Sequence, residues 1–76
     1  MKTIYNNIYL ALIADIRKAR IDAGLTQLQL AKLLGTGQSY VSKYESCQRR
    51  LDIVELVTLC KVLELDVVAI VKKFCD

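Results

Sequence analysis

The residues able to do chemistry in this chain are few, and their types exclude most kinds of it. There is no histidine, which removes the commonest general base and the commonest metal ligand. The three cysteines, Cys47, Cys60 and Cys75, are odd in number and contain no C-x-x-C pair, so neither a disulfide framework nor a zinc site is indicated. No glycine loop could cradle a phosphate, and no acid pair shares one helix face. The sequence reads as a non-enzyme with no metal, no cofactor and no evident small-molecule ligand. What it offers instead is a polar, almost uncharged run around Gln38, Ser39, Tyr40, Ser42 and Lys43, followed by Arg49 and Arg50. These are groups that hydrogen-bond to nucleic acid. Gln38 can pair bidentately with adenine N6 and N7, and Lys43 can donate to guanine O6 and N7. Ser39 suits a base or a phosphate, and the two arginines suit backbone phosphates, which set register without reading sequence.

Those side chains need elements to hold them, and the spacing of apolar residues supplies five helices. Tyr9, Leu12, Ile13, Ile16, Ala19 and Ala23 recur at helical spacing, in a first helix expected to start at Asn6 or Asn7 and to stop at Gly24. Thr26 with Gln29 three residues on is a capping box, and Leu25 and Leu30 form its hydrophobic staple. The second helix they open points Leu30, Ala31, Leu33 and Leu34 inward and ends at Gly35. Three residues later a third helix runs from Gln38 to about Ser46, with Val41 and Tyr44 inward and the polar run outside. Asp52 and Glu55 cap a fourth, whose apolar side is Ile53, Leu56, Val57, Leu59, Cys60 and Leu63. Asp66 caps a short fifth that carries Val67, Val68, Ile70, Val71 and Phe74.

Two short helices joined by three residues must cross steeply. Ala31 is small where they meet, and Gly35 supplies the positive φ of the sharp turn. Residues 26–46 therefore form a helix-turn-helix that offers the helix starting at Gln38 to the major groove of duplex DNA. The charge distribution agrees. The chain carries +3 overall, yet its first 50 residues are basic and the remainder is mildly acidic, which suits a polyanion on one side only.

The stretch Gly24-Leu25-Thr26-Gln27-Leu28-Gln29-Leu30-Ala31, then Leu34-Gly35, Gln38 to Glu45 and Arg49, resembles the Cro/phage-repressor type of helix-turn-helix, the XRE family, over roughly residues 8–74. The resemblance implies an all-α, five-helix, lambda-repressor-like domain that binds operator DNA as a dimer and regulates transcription. It implies base contacts by Gln38, Ser39 and Lys43. It assigns Gln27 a phosphate contact and a brace on the first amide of the recognition helix. Arg20 and Glu45 match a pair that in some members forms a salt bridge between helix 1 and the end of helix 3. Cys47 stands where the family usually has glycine, a departure that bears on the left-handed geometry there.

Plainer readings stand beside these. Arg49 and Arg50 suit an ordinary solubilising connector, or pairing with Asp52, as well as phosphates. Tyr40 and Ser42 are grouped with the backbone contacts, although Tyr40 could equally pack beside helix 2. Cys47 is a redox-sensitive thiol only if the nearby arginines lower its pKa; the simpler account is an unreactive substitution. Cys60 reads as core filler. With 54% hydrophobic residues in 76, a chain of this size can scarcely cover helix 5, so Leu65, Val67, Ile70, Val71 and Phe74 are expected at a homodimer interface, with residues 66–74 as the dimer element of a single domain spanning 1–76. A rival function is an antitoxin-like module that binds a partner protein and autoregulates, for which the apolar helix 5 and exposed Leu28 would serve. No apolar run approaches the roughly 20 residues that span a bilayer, and the N-terminus has no signal-peptide pattern, so the chain is expected in the cytoplasm.

Overall fold

The computed structural model describes residues 2–75, with side chains from Asn7 onward. Five helices follow in order: α1 (Lys2–Asp22), α2 (Gln27–Leu34), α3 (Gln38–Glu45), α4 (Ile53–Val62) and α5 (Val67–Lys73). Their starts are set by side-chain caps. Thr26 Oγ1 accepts from the Gln29 N–H at 3.1 Å while Gln29 Oε1 accepts from the Thr26 N–H at 2.8 Å. Asp52 and Glu55 repeat this arrangement at α4, at 2.8 and 2.9 Å. Asp66 accepts from Val68 and Ala69. Each cap satisfies amide donors that a helix start otherwise leaves unpaired.

One expected start is wrong. α1 begins at Lys2, not at Asn6 or Asn7, so neither asparagine caps it; the side chain of Asn6 lies outside the described ones. No glycine or proline precedes Gly24, and nothing in the backbone obliges the helix to stop short.

Four helix ends share one construction. At Gly24, Gly35, Cys47 and Glu64 the chain turns through positive φ, 76°, 73°, 64° and 58°. In each case the following amide reaches back to the carbonyl five residues earlier, as in Thr36 to Ala31 at 2.9 Å and Gln48 to Lys43 at 2.9 Å. This is the Schellman ending, which occupies carbonyls that would otherwise be orphaned. Glycine takes that conformation freely, whereas cysteine and glutamate carry a Cβ into it. Cys47 thus keeps the left-handed turn that its identity had put at issue.

The core is Ile13, Ile16, Leu30, Ala31, Val41, Tyr44, Leu56, Leu59, Cys60 and Leu63, contributed by α1 to α4 and by the residue closing α4. α2 crosses α3, α1 and α4 pack behind them, and α5 docks on α4. Lys73 Nζ on Asp15 Oδ2 at 2.9 Å ties α5 to α1. Two residues assigned inward by spacing point outward: Leu33 is 60% exposed and Ile53 is exposed as well. Helices of eight and ten residues contain too few turns for spacing alone to fix which edge of the apolar stripe faces the core.

Candidate nucleic-acid interface

α3 is held by its inward residues and by its tail. Val41 and Tyr44 are fully buried. At the C-terminal end the Glu45 side chain is only 3% exposed, a position a carboxylate occupies only when paired and hydrogen-bonded. Arg20 from α1 supplies both, donating from Nε to Oε2 at 2.7 Å and from Nη2 to Oε1 at 3.0 Å. Its remaining arm donates to the Leu25 carbonyl at 2.7 Å, so one guanidinium ties together α1, the α1–α2 loop and α3. The hydrogen bond to Glu45 raises the Arg20 pKa above its ordinary value, ahead of the opposing effect of burial.

Gln27, the first residue of α2, donates from Nε2 to the same Glu45 Oε1 at 3.0 Å. The brace therefore runs to the end of α3, and among the described residues Gln27 makes no bond to the first amide of α3. Gln27 remains half-exposed.

The opposite face of α3 is open. Gln38, Ser39, Ser42 and Lys43 are all exposed and make no side-chain hydrogen bond among the described residues. The N-cap is Gly37, which offers no side-chain acceptor; its carbonyl accepts from the Tyr40 amide at 3.1 Å. An eight-residue helix with amides, hydroxyls and an amine outward, fixed from behind, is dimensioned for the major groove.

Tyr40 does not share that face. It is half-buried, edge-on to Tyr44 with ring centroids 5.6 Å apart, and burial pushes its phenol pKa up, with the Glu55 carboxylate adding to the effect. The Arg49 guanidinium lies 4.8 Å above the Tyr40 ring and forks onto Glu55 at 2.8 and 3.1 Å. Arg49 is thus committed to Glu55 rather than to Asp52. Arg50 lies 5.1 Å from the ring centre of Tyr9, and the Tyr9 hydroxyl accepts from the Leu51 amide at 3.1 Å. The basic connector is therefore fastened to α1 and α4 at several points. Tyr9 and Glu55 hold it there, and sequence reading had assigned them only to the core and to a cap.

The dimer residues expected on α5 divide. Leu65, Val67 and Ile70 pack partly against the chain's own core. Val68, at 67% exposed, and Val71 face out beside exposed Ile53. With Val57, Val67, Lys72 and Cys75 they line an apolar groove of about 510 Å³ between α4 and α5.

The helix-turn-helix family model matches residues 16–70 of this chain. A solved structure, an XRE-family like protein from Pseudomonas syringae pv. tomato str. DC3000, superposes with a TM-score of 0.90 at 44% identity, over 96% of this chain and 89% of that one. The chain belongs to the XRE family of helix-turn-helix proteins. None of the curated proteins matches at a significant level. As an XRE-family member it is a DNA-binding transcription regulator, with the five-helix all-α architecture expected of it. Among the described residues no helix is long and apolar enough to cross a membrane, and no cluster of His, Cys, Asp or Glu could hold a metal ion.

Proposed function

We propose that this XRE-family protein reads a pseudo-palindromic operator as a homodimer, with α3 of each copy in the major groove. The observation that carries the reading is the outward face of α3, where Gln38, Ser39 and Lys43 are exposed and unengaged while the helix behind them is pinned by Glu45. Gln38 suits adenine, Lys43 suits guanine, and Ser39 takes a base or phosphate. Gln27 and Ser42 flank them on the backbone. Arg49, Arg50 and Tyr40 form a supporting strut beside this face.

Dimerisation is supported by the apolar groove between α4 and α5. In this reading Ile53, Val68 and Val71 supply the contact, and Leu65, Val67, Ile70 and Phe74 back it. A two-fold dimer sets its recognition helices about 34 Å apart, one turn of DNA. Selection of binding sites from random duplex DNA tests specificity, palindromy and spacing together. Recovery of half-sites about 10–10.5 base pairs apart is the expected result, and a pool with no enriched sequence would overturn it. The same groove also suits a partner protein of the antitoxin kind. Sedimentation separates the two: a dimer at tens of micromolar supports the homodimer, whereas a monomer that pairs stoichiometrically with a co-purifying small protein supports the alternative.

A further inference from the structure

Glu45 has one more neighbour than its chemistry requires. Arg20 occupies both carboxylate oxygens and Gln27 adds a third hydrogen bond, which satisfies a side chain so nearly buried. Arg17 also approaches, with its Nε 3.8 Å from Oε1, beyond hydrogen-bond range. Its side chain is 59% exposed, and it makes no hydrogen bond among the described residues. An exposed ion pair at that separation contributes little to stability. Arg17 lies one helical turn before Arg20 and so projects from the same face of α1. The cluster of Arg17, Arg20 and Glu45 is left with one positive charge in excess, and Arg17 carries it.

That charge lies beside Gln27. The Arg17 guanidinium and the Gln27 amide approach the same oxygen atom, so the unspent donors of Arg17 stand next to a residue already assigned to the DNA backbone. A guanidinium offers five donors in a planar fork suited to phosphate, and duplex DNA is the polyanion this domain meets. We propose that Arg17 is a backbone-contacting residue of the DNA interface, extending the interface from α2 and α3 onto α1. Glu45 acts as its rest: the carboxylate holds the side chain near Gln27 without consuming its donors.

The proposal rests on the duplex-DNA reading above, and the test keeps the two apart. Binding of fluorescent duplex DNA to the full-length protein is measured against salt concentration for wild type, Arg17→Gln and Arg17→Lys, with thermal melting of each. Arg17→Gln is expected to lower affinity at 0.15 M salt for every sequence by about fivefold per subunit, about thirtyfold for a dimer, and to reduce the slope of log K against log[salt] by about 0.9 per subunit, about 1.8 for the two phosphate contacts of a dimer. Arg17→Lys should keep the slope, and the melting temperature of Arg17→Gln should stay near that of wild type. An unchanged slope with a lowered melting temperature makes Arg17 a purely structural partner of Glu45 and overturns the proposal. So does a changed base preference at an unchanged slope. Wild type that shows no salt-dependent duplex binding overturns the DNA reading itself.

Discussion

Replacing Arg20 by methionine keeps most of the aliphatic stem and deletes the guanidinium. Glu45 would then keep a single hydrogen bond, from Gln27 at 3.0 Å, in a site where its side chain is 3% exposed. Breaking a buried pair by removing one partner costs about 3–5 kcal/mol. Two features of the site pull the value toward the lower end. The Gln27 bond to an ionised acceptor survives, and Arg17, 3.8 Å away, can swing closer. A loss of about 3 kcal/mol follows, against a total of about 4–11 kcal/mol for a chain of this length. At about 4–8 °C per kcal/mol for a small domain, the melting temperature should fall by about 12–24 °C. Urea unfolding followed by circular dichroism measures this directly, and the m-value should stay constant. The partner experiment is Arg20→Met combined with Glu45→Leu, which removes both charges. The double variant should be more stable than Arg20→Met alone, since an apolar pair leaves nothing unpaired. A loss under 1 kcal/mol for the single variant, or strict additivity in the double, would refute the account of Glu45 as a buried, dependent charge.

Glu64→Gly should stabilise the fold by about 0.5–1 kcal/mol, because the left-handed turn strains a Cβ more than glycine's added chain entropy costs. Cys47→Gly should gain less, since its side chain packs against the core; chemical denaturation ranks the two, and equal gains would show that this packing contributes nothing. Tyr44 is fully buried and its hydroxyl makes no hydrogen bond among the described residues, so Tyr44→Phe should raise stability by about 1 kcal/mol, and a loss of that size would mean the hydroxyl is paired. The hydrogen bond from Arg49 holds the Glu55 carboxyl below its ordinary value of 4.5, with the Asp52 amide assisting. A depressed carboxylate contributes stability that is complete above the unfolded value and is lost as pH falls through the folded one. Melting temperature should therefore drop below about pH 4.5 less steeply in Glu55→Gln than in wild type, and parallel curves would remove Glu55 from the acid transition.

The starts of α2, α4 and α5 were legible because Thr26, Asp52 and Asp66 cap them through contacts two or three residues away, and local chemistry is written in local sequence. The glycine turns at Gly24 and Gly35 were legible for the same reason. The left-handed turn at Glu64 was not, since glutamate gives no sign of that conformation, and at Cys47 only the resemblance to a family with glycine there pointed to it. The outward recognition face of Gln38, Ser39, Ser42 and Lys43 was readable from helical spacing around Val41 and Tyr44. Tyr40 was placed on the outer face with packing beside helix 2 left open; its half-buried position owes also to Glu55 and Arg49, downstream of it. Arg49 was assigned to phosphates, with Asp52 as its plainer partner; it forks instead onto both oxygens of Glu55, one turn further on. The α4–α5 surface was anticipated on α5, where Val68 and Val71 are exposed, but α4's share of it, Ile53, had been assigned inward, and its direction depends on how α4 rolls against the core.

The clamp on Glu45 makes α3 a lever. It is clamped at the tail and packed behind through Val41 and Tyr44, and its eight residues span about 12 Å at 1.5 Å per residue. A rotation of about 5° at the tail moves Gln38 by about 1 Å, enough to break a hydrogen bond whose useful range is about half that. If Gln38 reads a base as proposed, fidelity at that position depends on Arg20 and Glu45 at the far end of the helix. A drifting population that relaxes this clamp would broaden its operator set before it lost its fold.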